Sequence, residues 1–216
     1  MQPSSRIIYD PAPFFIETFP EAALRGMGQA LIGAYRQAND YCKDLPYAQR
    51  HDLRAHLRRA LAEINIQNLM PLHNGISVSS PPNNIKSSYH VFVQYEYIYL
   101  TVSYVESPST KPRKAVFRDL YALSSQLDLF IPSEPPPDEG ALYGVIIHGP
   151  AEDHPDSPAF MYIVFPNKDW TDYVGGYIDL LYRFPELRTT SSDVADIKKP
   201  APPKLRKNQE EAEGNA

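Results

Sequence analysis

YHVFVQYEYIYLTVSY, residues 89–104, is too long for one strand of ordinary length, about 5–6 residues, and its apolar phase reverses midway. Folding the segment at Glu96-Tyr97 brings the two halves into register. Tyr95 then faces Ile98, Val93 faces Leu100, Val91 faces Val102 and Tyr89 faces Tyr104. The opposite side pairs Gln94 with Tyr99, Phe92 with Thr101 and His90 with Ser103. One side is apolar and the other mixed, as a hairpin that covers a core on one face requires. Glu-Tyr is a poor primed turn, so the connection has room to be longer without disturbing the pairing.

Upstream, two helices are expected. Thr18-Phe-Pro-Glu21 reads as a helix start, with Thr18 as N-cap, Glu21 reaching back and Pro20 in the first turn. Ala23, Met27, Ala30, Leu31, Ala34, Ala38 and Tyr41 recur at helical spacing until Pro46 interrupts. Gly26, Gly28 and Gly33 lie in that stretch. Each costs a helix about 1 kcal/mol, so close packing against a neighbour is the expected reason. A second helix spans about 47–65 with Leu53, Leu57, Leu61 and Ile64 inward, and the pair reads as an αα-hairpin.

Downstream, residues 142–147 and 160–165 read as strands joined by the polar loop GPAEDHPDSP. A last helix starts near Asp169-Trp-Thr-Asp172, buries Val174, Tyr177, Ile178 and Leu181, and ends at Pro185. The expected fold is α+β: an N-terminal αα-hairpin on an antiparallel sheet of about four strands, followed by a C-terminal helix. Residues 1–188 form one domain in this reading. Residues 189–216 are polar, Pro-rich and charged, which predicts a disordered tail.

Composition narrows the function classes. A net charge of −5 excludes a wholesale polycation, so any nucleic-acid contact has to be local. Cys42 is the only cysteine, which forbids an internal disulfide, fits a reducing compartment and reads as a small buried or half-buried side chain. The first residues lack a secretory pattern and no window approaches the roughly 18 apolar residues of a membrane span. A cytoplasmic protein without a cofactor or membrane partner is the expectation.

Three constellations could carry chemistry. His148, Glu152, Asp153, His154 and Asp156 offer oxygen and imidazole ligands for a divalent metal, though the neighbouring prolines suit a solvated hairpin loop. His90, Glu96 and Asp119 could converge as in a nuclease, but no carboxylate-x-Lys pair accompanies them. Arg50, Arg54 and Arg58 share a helix face at i, i+4 spacing and could contact DNA phosphates; a solvated basic face is the plainer reading. No phosphate-binding glycine loop, HExxH, CxxC or nucleophile elbow occurs.

QLDLF, residues 126–130, is followed by the proline-rich acidic stretch IPSEPPPDEG, which neither continues a helix nor joins a central strand. The five residues resemble the bacterial β sliding-clamp-binding peptide, Gln-Leu-Ser/Asp-Leu-Phe, at every position. With ordinary residue frequencies such a match arises by chance roughly once in a few thousand chains of this length. The resemblance covers those five residues alone. It implies that Gln126 enters a small polar pocket and orients the peptide. Leu127, Leu129 and Phe130 would fill hydrophobic pockets, and Asp128 would face solvent. Val116, Leu120, Leu123 and Leu127, with Phe130, also fit a buried helical stripe, which is the competing reading of the same residues. The implied partner is the β sliding clamp, and the implied role is competition with replication or repair factors, as an inhibitor, toxin or regulator. A clamp-recruited DNA repair or replication accessory, or a nuclease, is the alternative.

Overall fold

The hairpin forms in the expected register over the inner four pairs, with Phe92, Val93, Gln94 and Tyr95 opposite Thr101, Leu100, Tyr99 and Ile98, while the outer pairs expected from Tyr89, His90 and Val91 are not part of the β2–β3 ladder. The turn is the tight Glu96-Tyr97 pair after all, and Glu96 adopts a left-handed φ of 51° to close it. This computed structural model describes residues 10–81, 89–112, 118–119, 121–122, 141–151, 154–167 and 169–188.

Around the hairpin the sheet has six strands rather than four. β1 is Ile76–Ser79, β2 Phe92–Tyr95, β3 Ile98–Tyr104, β4 Leu142–Pro150, β5 Pro158–Pro166 and β6 Tyr173–Asp179, and they lie side by side in chain order. The sheet is also mixed. β3 pairs parallel with β4, from Ile98 opposite Leu142 to Tyr104 opposite His148, while every other neighbouring pair is antiparallel. A parallel pair needs a connection of at least about a dozen residues, and the stretch from Val105 to Ala141 supplies more than that.

Alternation along the strands separates two apolar layers. Ile98, Leu100, Val102, Leu142, Ile146, Met161, Ile163 and Phe165 face the helices. Tyr99, Tyr143, Val145, Ile147, Phe160, Tyr162 and Val164 face the other side. A strand buried on both faces loses the polar alternation that marks a half-exposed one, which explains the long apolar runs of β4 and β5.

On the first face lie α1 (Pro11–Thr18), α2 (Glu21–Cys42) and α3 (Tyr47–Leu69). α1 was not expected. Asp10 caps it by accepting from the Ala12 amide, and Pro11 sits in its first turn. Thr18 therefore ends α1 instead of capping α2, whose N-cap is Pro20, and Glu21 pairs with Arg25 and Arg183. The predicted α2 stripe is buried except for Tyr41, which is exposed. The close packing expected of its glycines is present: a Cβ on Gly26 would press on the His73 ring, and one on Gly28 would overlap Leu187.

α3 is turned away from the expected orientation. Arg58, Ala62 and Ile66 point inward, whereas Leu53 and Ile64 are exposed and Leu57 and Leu61 only half-buried. The i, i+4 rows 53-57-61 and 54-58-62-66 lie one residue apart, about 100° around the axis. The row containing the small Ala62 is the one against α2.

The C-terminal helix is replaced by β6 and a one-turn helix, α4 (Leu180–Arg183). Asp169 to Asp172 form a turn held by Asn167, whose Oδ1 accepts from the Thr171 and Asp172 amides. Val174 and Tyr177 are exposed, and Gly175 and Gly176 both have positive φ, a poor basis for a helix. Asp179 caps α4, and Pro185 ends it as expected.

Gly149, next to last in β4, sits where there is no room for a side chain: a Cβ would meet the Val105 carbonyl and the Phe160 ring. Gly149→Ala is expected to cost about 2 kcal/mol, read as a fall in Tm of roughly 4–8 °C, because a backbone atom cannot rotate aside.

Candidate functional site

Gln126, Leu127, Asp128, Leu129 and Phe130 lie outside the described residues, as does the whole of the alternative stripe, Val116, Leu120, Leu123, Leu127 and Phe130. Both flanks of that segment are described, and both belong to the second apolar layer. Ala122 is 0% exposed and Ala141 1% exposed, within the cluster of Tyr99, Tyr143, Val145 and Tyr162. Tyr121 sits among three rings, with centroids 5.0 Å from Phe92, 5.2 Å from Tyr99 and 5.6 Å from Tyr143. Arg118, one helical turn earlier, is buried and donates to Ser103 Oγ at 3.4 Å. Burial lowers the Arg118 pKa, with the neighbouring Tyr143 opposing the shift. Tyr143 is pushed up to about 12 by burial, against Arg118 and a hydrogen bond with Thr101, so its hydroxyl stays protonated. Nothing in the local sequence singles out Tyr121. Its role depends on the parallel pair that sets Tyr143 beside Tyr99.

The arginine row and the histidine–acid loop, separate in sequence, meet at one point on the helical face. Arg58 is 5% exposed. Its guanidinium lies 4.7 Å over the Tyr35 ring and donates to the Pro155 carbonyl at 2.6 Å. A hydrogen bond of 3.1 Å joins the Tyr35 hydroxyl to His148 Nδ1, and the His148 ring stands edge-on between Tyr35 and Tyr104. Burial raises the Tyr35 pKa well above its ordinary value, with Arg58 opposing. Burial, then the Arg58 charge, lowers that of His148 to about 3. Both groups are neutral near pH 7 and 0% exposed, so the pair holds the helices to β4 and has no solvent-facing acid or base. Tyr35, unremarked in the sequence, is the residue that organises this cluster.

The remaining candidates are dispersed. Arg50 donates Nε and Nη2 to the Leu45 carbonyl and closes the α2–α3 turn. Arg54 is half-buried, and burial lowers its pKa. His154 and Asp156 are half-buried on the β4–β5 loop, whereas His148 points into the helical layer; Glu152 and Asp153 lie outside the described residues. His90 pairs with Glu63 at 3.6 Å, Glu96 occupies the β2–β3 turn and Asp119 lies beside Arg118. Among the described residues, no three His, Cys, Asp or Glu side chains are grouped to hold a metal. No helix there is long and apolar enough to cross a membrane.

His148 sets a pH dependence. Its folded pKa of about 3 lies below the unfolded value near 6.5, so the unfolded chain binds the extra proton. The stability is fully present above pH 6.5. It is expected to fall by about 1.4 kcal/mol per pH unit below that value, until the folded histidine titrates near pH 3. Denaturant titrations between pH 7 and 4.5 check this, and His148→Gln should flatten the slope. A second comparison separates packing from phosphate contact: Arg58→Ala should lower stability by about 2–4 kcal/mol, whereas exposed Arg59→Ala should stay within about 0.5 kcal/mol.

No protein-family model, no curated protein and no solved structure matches the chain.

Proposed function

We propose that the chain is a binding protein that docks on the bacterial β sliding clamp through Gln126–Phe130 and competes there with replication or repair factors. The observation that carries this reading is the five-for-five agreement of QLDLF with the clamp-binding peptide, in front of a stretch that contains four prolines and three acids. Gln126 orients the peptide, Leu127, Leu129 and Phe130 anchor it, and Asp128 faces water. Burying three large apolar side chains is worth about 5–8 kcal/mol before ordering costs, which corresponds to roughly micromolar affinity.

The described groups that the sequence offered for chemistry are committed to packing. The histidine and tyrosine that touch one another are neutral and enclosed, and Arg58 is committed to Tyr35 and Pro155. Ala122 and Ala141, the described residues on either side of the peptide segment, are both buried in the second apolar layer.

Calorimetry with purified clamp tests the reading. The protein is expected to bind near micromolar Kd, and a peptide of residues 124–132 should keep most of the binding free energy. Phe130→Ala should cost about 2 kcal/mol of binding with Tm nearly unchanged, and Asp128→Ser should be tolerated. A large loss of Tm in Phe130→Ala would place that side chain in the core and defeat the displayed-peptide reading.

A further inference from the structure

The apolar core stops short of the tip of the α2–α3 hairpin. From α2 it takes side chains between Ala23 and Ala34, and from α3 it takes Ala62 and Ile66, with half-buried Leu61 packed against it. Tyr35, Ala38 and Cys42, further along α2, are buried but belong to neither apolar layer. Leu53, on the matching part of α3, is 42% exposed. The tip is closed on itself, because the Leu45 amide donates to the Cys42 carbonyl and Arg50 to the Leu45 carbonyl.

Among the described residues, polar groups fasten this tip to the sheet. The Tyr35 hydroxyl bonds His148 on β4, and Arg58 donates to the Pro155 carbonyl in the β4–β5 loop. His148 Nε2 and Arg58 Nε are buried without a hydrogen-bond partner, so neither side chain is fully satisfied there. A segment with few buried apolar contacts opens at lower free energy than the core beside it. Gly33 lies where the core ends. A Cβ on it would sit 3.4 Å from Asn65 Nδ2, an ordinary contact, so packing does not require glycine as it does at Gly26 and Gly28. What glycine supplies at that point is a low preference for helix. Asn65 faces it from α3 and donates to the Ala30 carbonyl on one side and to Gln37 on the other.

We infer that residues 35–60 form an arm hinged beside Gly33 and Asn65, with the Tyr35–His148 and Arg58–Pro155 contacts as its clasp. The arm swings as a unit while the base of the hairpin and the sheet stay packed. Acid loosens the clasp. The His148 ring meets Tyr35 from α2 and Tyr104 from β3, and its cross-strand neighbour on β5 is the uncharged Met161. His154 and Asp156 flank Pro155 in the loop, and Arg58 of α3 is the charge that bears on the ring. Burial and that charge keep the closed histidine neutral down to about pH 3. With the arm open the ring reaches water and takes a proton at its ordinary pKa near 6.5. Opening therefore becomes about tenfold easier for each pH unit below that value.

Hydrogen exchange of the full chain, followed by mass spectrometry and corrected for the intrinsic effect of pH, tests the arm. Residues 35–60 are expected to exchange faster than 21–32 and 62–69. Low urea should leave the arm's rates nearly unchanged while speeding those of the base, since a local opening exposes little surface. From pH 7 to pH 5 the arm's opening constant should rise on the order of 25-fold, and His148→Gln should abolish that rise. Tyr35→Phe, a milder change, should speed exchange in the arm at pH 7. Gly33→Ala should slow it about fivefold by stiffening the hinge. Equal rates and equal urea dependence in arm and base would overturn the arm. A pH response that survives in His148→Gln would overturn the clasp, and unchanged arm rates in Gly33→Ala would overturn the hinge.

Discussion

Setting β3 parallel to β4 governs the rest of the architecture. Two adjacent parallel strands cannot be joined by a tight turn, so the chain has to leave the sheet and return to the end from which β3 started. Because α1, α2 and α3 occupy one face, the return is made on the other, where Arg118, Tyr121 and Ala122 pack on the strands. Both faces of the central strands are thereby buried, and β4 and β5 consist almost wholly of buried positions. In sequence the QLDLF residues fall within this connection, between the buried Ala122 and Ala141.

The helical layer follows a different constraint. Among the described residues, Arg58 is buried without a carboxylate partner, in a position where an isolated charge would be costly. The face of Tyr35 and the Pro155 carbonyl take over part of what water would have supplied. The same ring passes a hydrogen bond to His148 on β4. One cation thus links α2, α3, the β4–β5 loop and the sheet. The neutrality of His148 is part of the arrangement, since a second positive charge there would be desolvated and repelled by Arg58.

Much of this was legible in the sequence wherever the informative contacts are close along the chain. The 92–101 hairpin was readable to the residue because its two strands adjoin and their apolar phases must agree across the turn. α2 was readable because Ala23, Met27, Ala30, Leu31, Ala34 and Ala38 leave one choice of inner face. α3 offers two adjacent rows, and apolar character alone favours the leucine row. The deciding factor is the ring of Tyr35 on another helix, which gives Arg58 somewhere to lie. At β6, Val174, Tyr177, Ile178 and Leu181 satisfy a helical period by coincidence, while Gly175-Gly176 carries the correct signal. The parallel pair could not be read from either strand, because a partner's direction leaves no mark on a doubly buried run. For the same reason nothing in the sequence marks Tyr121, whose ring contacts are all set by that pairing.

The single thiol has a practical consequence. Cys42 is 0% exposed at the end of α2 that packs on α3, and the chain has no other cysteine. A bulky thiol-alkylating reagent therefore has one thiol to react with and reaches it only when the C-terminal end of α2 opens, by local fraying or with the rest of the layer. Its labelling rate under native conditions measures the opening free energy of that end, separately from the sheet. Fluorescence of Trp170, buried among the aromatic residues of the opposite face, can follow the other half of the molecule in the same sample.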